Sequence, residues 1–381
     1  MMKFAKNYLS YVIIAVLAIV LTVMGAVGGL RASTSTLVEN SLIAIVLAVS
    51  LNMVVGFLGE LSLGHAGFMC VGAYLGGKMA VLLSSSLGGT NIITVIIALI
   101  VGGLCAGICG LIVGLPALRL RGDYLAIVTL AFGEIVKNIF ENSEFFEGQT
   151  GMKTSPFIYS NDRFLLIAIA SLVVLLTLFV IQNIIKSKHG RAITAIRDSE
   201  IAAKATGVNV TKYKLIVFVI SAVFAGFAGA LYSYTMGRVQ AVTFDYNYSI
   251  EILVIVVLGG MTVNGSIISA ILITLFNTLL QTNLEGGLAI AKDLIYAIVL
   301  IVLVIYRNAP ALKTFREKYN FSTLWQKIFK TKHDPSNVRD DASRWDVVPT
   351  KISMDEVLST DVIIDTTGDN SADIGERGGN K

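Results

Sequence analysis

The sequence predicts an all-α fold, a polytopic membrane helical bundle of about ten transmembrane helices with both termini cytoplasmic. The 381 residues have a mean hydropathy of +0.75, with 55% hydrophobic and only 15% charged residues. The apolar residues gather in runs of about twenty, the length a helix needs to cross a hydrocarbon core of roughly 30 Å. Lys and Arg concentrate in alternate connections between those runs, as the positive-inside rule requires. The short alternating segments of a transmembrane barrel do not occur.

Hydropathy places the spans near residues 11–30, 41–58, 66–83, 92–115, 124–140, 164–185, 215–235, 250–261, 266–282 and 293–306. Lys3 and Lys6 before the first run resemble a signal peptide, but the run exceeds the usual apolar core of one and reads as a retained span. With the N-terminus inside, the connections after even-numbered spans are cytoplasmic. They hold Arg119 and Arg121, then Lys186, Lys188, Arg191, Arg197, Lys204, Lys212 and Lys214, then Arg307, Lys313, Arg316 and Lys318. The acidic connection with Glu141, Glu144, Glu147 and Asp162 falls outside.

Small residues at helical spacing, Gly103, Gly107, Gly110 and Gly114 in the fourth span and Ser221, Ala225 and Gly229 in the seventh, predict close helix packing. Residues 1–306 therefore read as one membrane domain with a cytoplasmic segment at 187–214. Residues 307–332 carry seven Lys or Arg against one Glu with aromatics interleaved, as suits a helix on an anionic leaflet. Residues 333–381 carry eleven acidic against five basic residues and read as a disordered tail.

The formal charge of +4 points to no nucleic-acid partner, and membrane lipid is the expected surrounding. Cys70, Cys105 and Cys109 lie in apolar segments and read as free thiols; no His or carboxylate stands near the Cys105/Cys109 pair to complete a metal site. The stretch GAYLGGKM, Gly72–Met79, approaches a phosphate-binding loop. Met79 stands where a Mg²⁺-binding hydroxyl is needed, and the stretch continues a span, so it reads as a packing helix. No cofactor is expected in this chain.

Between the sixth and seventh spans stands HGRAITAIRDSEIAAKATGVNVTKYK, residues 189–214. Ala192, Ile193, Ile196 and Ala203 share one side of a helical wheel. Asp198 or Ser199 as N-cap, Glu200 in the first turn and Gly207 as a stop predict a second short helix. On residues alone, this segment reads equally as a docking knob or as a loop lying on headgroups.

The stretches Gly190–Tyr232, LRLRGDYLAIVTLAFGEIVK (Leu118–Lys137), NMVVGFLGELSLGHAGFMCVGAYLG (Asn52–Gly76) and VVLGGM (Val256–Met261) resemble the permeases of branched-chain amino-acid ABC importers, specifically the larger of the two paired subunits. The resemblance covers about residues 35–306. It implies a cell-membrane heterodimer with a second permease subunit, two cytoplasmic ATP-binding subunits that hold ATP and Mg²⁺, an extracytoplasmic substrate-binding protein and an amino-acid substrate. It implies transport without catalysis in this chain. It also implies that Glu200, Ala202, Ala203 and Gly207 belong to the loop that docks on the ATPase, with Arg191, Arg197 and Glu200 making polar contacts at its rim. Glu60 departs from the family's Gln, TVNGSIIS after Met261 lacks the expected proline, and the chain beyond about residue 310 is longer than usual.

Ionisable groups at membrane depth are costly and mark candidate function. Glu60, Ser62 and His65 lie among glycines in GFLGELSLGHAGF, which reads either as a re-entrant break beside the translocation path or as a cytoplasmic turn. Asn52 and Glu134 complete the candidate path set; Asn52 is expected to bond across helices, and Glu134 to pair with Lys137. Glu251 and Asp293 read as helix-capping acids. Competing readings are a permease for urea or short amides, a proton-coupled secondary transporter using Glu60, Glu134 or His65, and a membrane scaffold acting through its acidic tail.

Overall fold

The computed structural model describes residues 32–87, 92–117, 122–154 and 163–283, with Leu120, Ile298 and Ile301. The expected first and tenth spans, Arg119, Arg121, Asp293, the basic segment 307–332 and the acidic tail 333–381 lie outside the described residues, apart from those two isoleucines in the tenth span.

All eight remaining expected spans are helices. They are α1 (Ala32–Asn52, extended by a π-helix Met53–Leu58), α2 (His65–Val71) running through a π-helix Gly72–Gly76 into α3 (Gly77–Leu87), α4 (Ile92–Ala117), α5 (Asp123–Glu141), α6 (Arg163–Lys186), α9 (Val210–Thr235), α10 (Tyr246–Leu258) and α11 (Val263–Asn283). Two short helices, α7 (Lys188–Asp198) and α8 (Glu200–Ala205), fill the connection between α6 and α9. Among the described residues, five segments are long and apolar enough to cross a membrane: Ser33–Leu58, His65–Ser85, Ile92–Ala117, Phe164–Lys186 and Val210–Thr235. Ile96, Ile100, Leu104, Ile108 and Ile112 of α4 stand exposed along one face, as a lipid-facing helix requires.

The connections between described helices sort onto two faces. On one side the α1–α2 turn, the α7–α8 unit and the α10–α11 turn meet: Arg197 Nη1 donates to Gly56 O at 3.1 Å, and a Cβ on Gly56 would lie 2.9 Å from Met261 O. On the other, β1 (Met152–Lys153) pairs antiparallel with β2 (Arg238–Val239). Lys78 there donates to Phe145 O at 3.1 Å. The connections after the second, sixth and eighth spans thus share one face, and those after the third, fifth and seventh the opposite face.

The bundle packs on glycine. A Cβ on Gly72 would collide with Gly226 O, and one on Gly229 with Met69 O, so α9 and the α2 helix touch backbone to backbone. Gly107 and Gly110 of α4 receive Val223 and Ala222 of α9 in the same way. Gly72–Met79 is accordingly a packing helix, with a Cβ on Gly76 only 2.9 Å from Ala98 O. Lipid tails are as apolar as the helices, so such close approach replaces the hydrophobic drive of a soluble core.

Two connections run as non-helical chain against the bundle. The π-helix after α1 ends at Gly59, whose φ of +80° favours glycine, and Gly59–Gly64 is non-helical until α2 starts at His65. The chain there doubles back: His65 reaches Ser50, about two turns above Leu58. From the other side Met236–Asp245 descends, and α10 begins only at Tyr246. At 13 residues α10 rises about 20 Å, short of a full span.

Gly229→Ala should lower the melting temperature of the detergent-solubilised chain, since overpacking costs about 1–3 kcal/mol. Gly133→Ala, whose nearest new contact is 3.7 Å away, should leave it unchanged.

Candidate functional site

The α7–α8 unit is held by successive caps. Ser187 Oγ caps α7 by accepting from the N–H groups of His189 and Gly190, and Ser199 Oγ caps α8 by accepting from Ala202 N–H at 3.3 Å. Asn209 Oδ1 caps α9 by accepting from Lys212 N–H at 3.1 Å. Gly207, at φ +84°, turns the chain out of α8, while Val208 N–H donates back to Ala203 O at 3.0 Å. Ile193, Ile196 and Ala203 are buried and seat the unit on the bundle.

A charged cluster fastens it further. Lys214, 3% exposed at the base of α9, pairs with Glu60 of the α1–α2 break and, at 3.2 Å, with Glu200 of α8. The other Glu200 oxygen accepts from Lys204 at 2.8 Å. The Lys204 hydrogen bond, then that of Lys214, holds the Glu200 carboxyl below its ordinary value, against partial burial that pushes it up. Arg197 spans the remaining gap, bonding Gly56 O and, at 3.0 Å, Asp198. Its stem passes over Gly59, where a Cβ would lie 2.6 Å away.

The candidate coupling residues therefore separate into two sets. Ala203 is buried against the bundle, which removes it from the partner-facing surface assigned to it, whereas Arg197 and Glu200 bond into the bundle and keep exposed surface at the rim. Arg191, Ala202 and Gly207 are exposed. Ile201, which the sequence reading passed over, is 78% exposed beside Ala202. Its signal is an aliphatic residue two positions from the inward Ala203, on the opposite side of one helical turn.

The candidate path residues also separate. Glu60 belongs to the charged cluster at the cytoplasmic base. His65, buried, lies with Nε2 2.8 Å from Ser50 Oγ. The Ser50 carbonyl accepts from Ser221 Oγ of α9 at 2.7 Å, and Ser249 Oγ of α10 accepts from Ala66 N–H at 3.2 Å. Leu63 N–H donates to Thr129 Oγ1 of α5 at 3.0 Å, so the break is tied to four helices, and Ser62 is buried within it. The segment is a non-helical turn packed within the bundle, on the face that also carries the α7–α8 unit.

Asn52 is fully buried, and neither of its side-chain atoms has a hydrogen-bond partner among the described residues, contrary to the expected interhelical bond. A Cβ on Gly56 would collide with its Oδ1, so the amide fills the space that glycine leaves. Glu134 pairs with Lys137 at 2.7 Å and also accepts from Tyr246 N–H at 2.9 Å, clamping the start of α10. Asp245 caps that helix through Tyr248 N–H at 3.0 Å. Glu251 lies beyond its first turn, so the capping role expected for it is corrected.

Several bilayer-length apolar helices packed into one bundle define a multi-pass integral membrane protein. Residues 33–305 match the family described as "Branched-chain amino acid transport system / permease component", and the chain belongs to that family. It is 35% identical over 294 residues to the Salmonella typhimurium "High-affinity branched-chain amino acid transport system permease protein LivM", covering 70% of this chain and 66% of that one. To the Escherichia coli protein of the same name it is 35% identical over 306 residues, 72% of this chain and 69% of that one. A "Probable branched-chain amino acid transport permease protein LivM" from Methanocaldococcus jannaschii is 27% identical over 164 residues, 42% of this chain and 48% of that one. The chain thus spans about two thirds of the length of the first two relatives. No solved structure matches it at a significant level.

Lys214→Met should speed hydrogen exchange of the amides of residues 199–208, because losing its charged bonds costs about 1–3 kcal/mol. Glu60→Gln, which keeps an acceptor, should do so less. The pH dependence follows from Glu200. Its folded value lies below the ordinary 4.5, so its contribution is complete above 4.5 and is lost as pH falls through the lowered value. Exchange at these residues relative to the intrinsic rate should therefore stay constant between neutral pH and pH 5 and rise in stronger acid.

Proposed function

We propose that this chain is the membrane-spanning permease subunit of an ATP-binding-cassette importer that moves branched-chain amino acids into the cell, with α7 and α8 as the seat of a cytoplasmic ATPase. The observation that carries the reading is Ile201, 78% exposed on a short helix whose opposite side is locked to the bundle by Ala203, Glu200 and Lys214. A large aliphatic side chain in water, beside Ala202 and Gly207, is a knob that fits an apolar groove, and Arg191 supplies a charge at its edge. The relatives' names support the substrate class.

ATP stays outside this subunit in the proposal: two ATP-binding chains hold ATP and Mg²⁺, a second permease completes the membrane unit, and an extracytoplasmic receptor delivers the amino acid. This chain's part is mechanical. When the ATPase pair closes, it displaces α8, and the displacement passes through Glu200 and Lys214 to Glu60 and through Arg197 to Gly56. Both routes end at the α1–α2 break, the non-helical segment that leads to Ser50 and His65 at mid-depth.

Reconstitution of the four kinds of subunit in liposomes should give leucine uptake that requires ATP. Uptake that persists without the ATPase and collapses with the proton gradient would replace this reading with a secondary transporter. Ile201→Asp should reduce the ATPase that co-purifies by about tenfold, the ~1.4 kcal/mol or more expected for a central apolar anchor. The variant should still insert and elute as the wild type does; undiminished ATPase binding would rule out docking through α8.

A further inference from the structure

The helices turn different kinds of surface away from the bundle. Every exposed residue of α4 is apolar, and so is every exposed residue of α6 between Phe164 and Val180. Lipid suits both faces. α5 departs from this pattern: in 19 residues it carries Asp123, Glu134, Lys137 and Glu141, and it is not among the five segments apolar enough to cross a membrane by composition.

One side of α5, with Leu125, Ala126, Thr129, Gly133, Val136 and Phe140, is buried against the bundle. Tyr124, Ile127, Ala131, Ile135 and Asn138 recur at steps of three and four residues on the other side, and all five are exposed. Glu134, 27% exposed, borders that stripe. α5 rises about 28 Å, and Glu134 lies about 10 Å in from its Glu141 end. A carboxylate open to the outside of the bundle at that depth is costly against lipid, and Asn138 one turn on adds an amide.

The surface continues onto α10 through the bond from Tyr246 N–H to Glu134, and there Tyr246, Asn247 and Ile250 are exposed. It is acidic. Lys137 pairs with Glu134 at 2.7 Å and is also acted on by the charges of Glu141 and Asp245, so three carboxylates surround this one ammonium among the described residues. Such a surface fits a partner that brings basic or amide donors. It opposes a second copy of itself, because a two-fold contact would set like charges together. A partner at this depth must itself be a membrane protein.

We propose that the exposed side of α5, with Tyr246, Asn247 and Ile250 of α10, is the surface on which a second, different permease subunit packs, presenting Lys, Arg or amide donors toward Glu134. The assignment rests on the importer reading above, which calls for such a subunit without saying where it sits. Packing there shields Glu134 and Asn138 from hydrocarbon, while the aliphatic faces of α4 and α6 stay with lipid.

Photo-cross-linking in the reconstituted complex tests the surface. p-Benzoylphenylalanine at Ile127 or Ile135 should form a product with the second permease, and the same probe at Leu104 or Ile108 of α4 should form products with lipid only. At Ile135, a lipid product alone, no product, or a product with a second copy of this chain would overturn the proposal. Ala131→Trp gives a second measurement. Because Ala131 is exposed, the variant should insert and melt as the wild type does, while the bulky ring holds the two subunits apart and the second permease that co-purifies falls about tenfold. Undiminished pairing in this variant would also overturn the interface. A wild-type chain that binds no second permease and takes up no leucine with ATP would overturn the importer reading, and the interface with it. In a complex that does take up leucine with ATP, a lipid-only product at Ile135 would remove this interface alone.

Discussion

Backbone contact between the α2 helix and α9 is the constraint on which the rest of this bundle depends. In lipid, helices gain nothing from hiding apolar surface from one another, so adhesion comes from close approach and from polar bonds. Gly72 against Gly226, and Gly229 against Met69, bring two backbones together where any side chain would hold them apart. That contact places α4 through Gly107 and Gly110, and it brings Ser221 to within reach of Ser50. The α1–α2 break is therefore supported by a framework whose spacing glycine sets.

The charged cluster does for the cytoplasmic base what glycine does for the interior. Lys214 is nearly buried, and its two carboxylates come from separate parts of the chain, Glu60 from the α1–α2 break and Glu200 from the knob. A buried ion pair is weak support for stability by itself, but it fixes register strongly, since a displaced partner leaves a charge unmet. Together with Arg197 on Gly56, it makes the knob and the break move as one piece.

Much of this architecture is legible in the sequence. Eight helices stand where hydropathy puts them, because exposure to lipid enforces an apolar run whatever the packing. The alternation of connections between two faces follows from the span count, and Ser199 and Gly207 mark both ends of α8. What stayed hidden depends on contacts far apart in the chain. Nothing local in Lys214 announces a partner 154 positions away, and the π-helices share the hydropathy of ordinary ones. Glu251 was misread because Tyr246, Asn247, Tyr248 and Ser249 dilute the apolar signal, so α10 starts one turn earlier than hydropathy allows. In α8 the inward and outward sides were confused, since six residues are too few to show a period.

The short α10 is held at its two ends by different neighbours. Glu134 grips its outer end through the Tyr246 N–H, and its inner end runs into the Gly259–Met261 turn that abuts Gly56. A rigid rod pinned near one end is a lever. Any shift of Gly56 by the knob swings the inner end of α10 about the Glu134 pivot, and residues along the rod move in proportion to their distance from it. Tyr246 sits at the fulcrum, so a large stroke at the Gly259–Met261 end becomes a fine adjustment at the start of the helix.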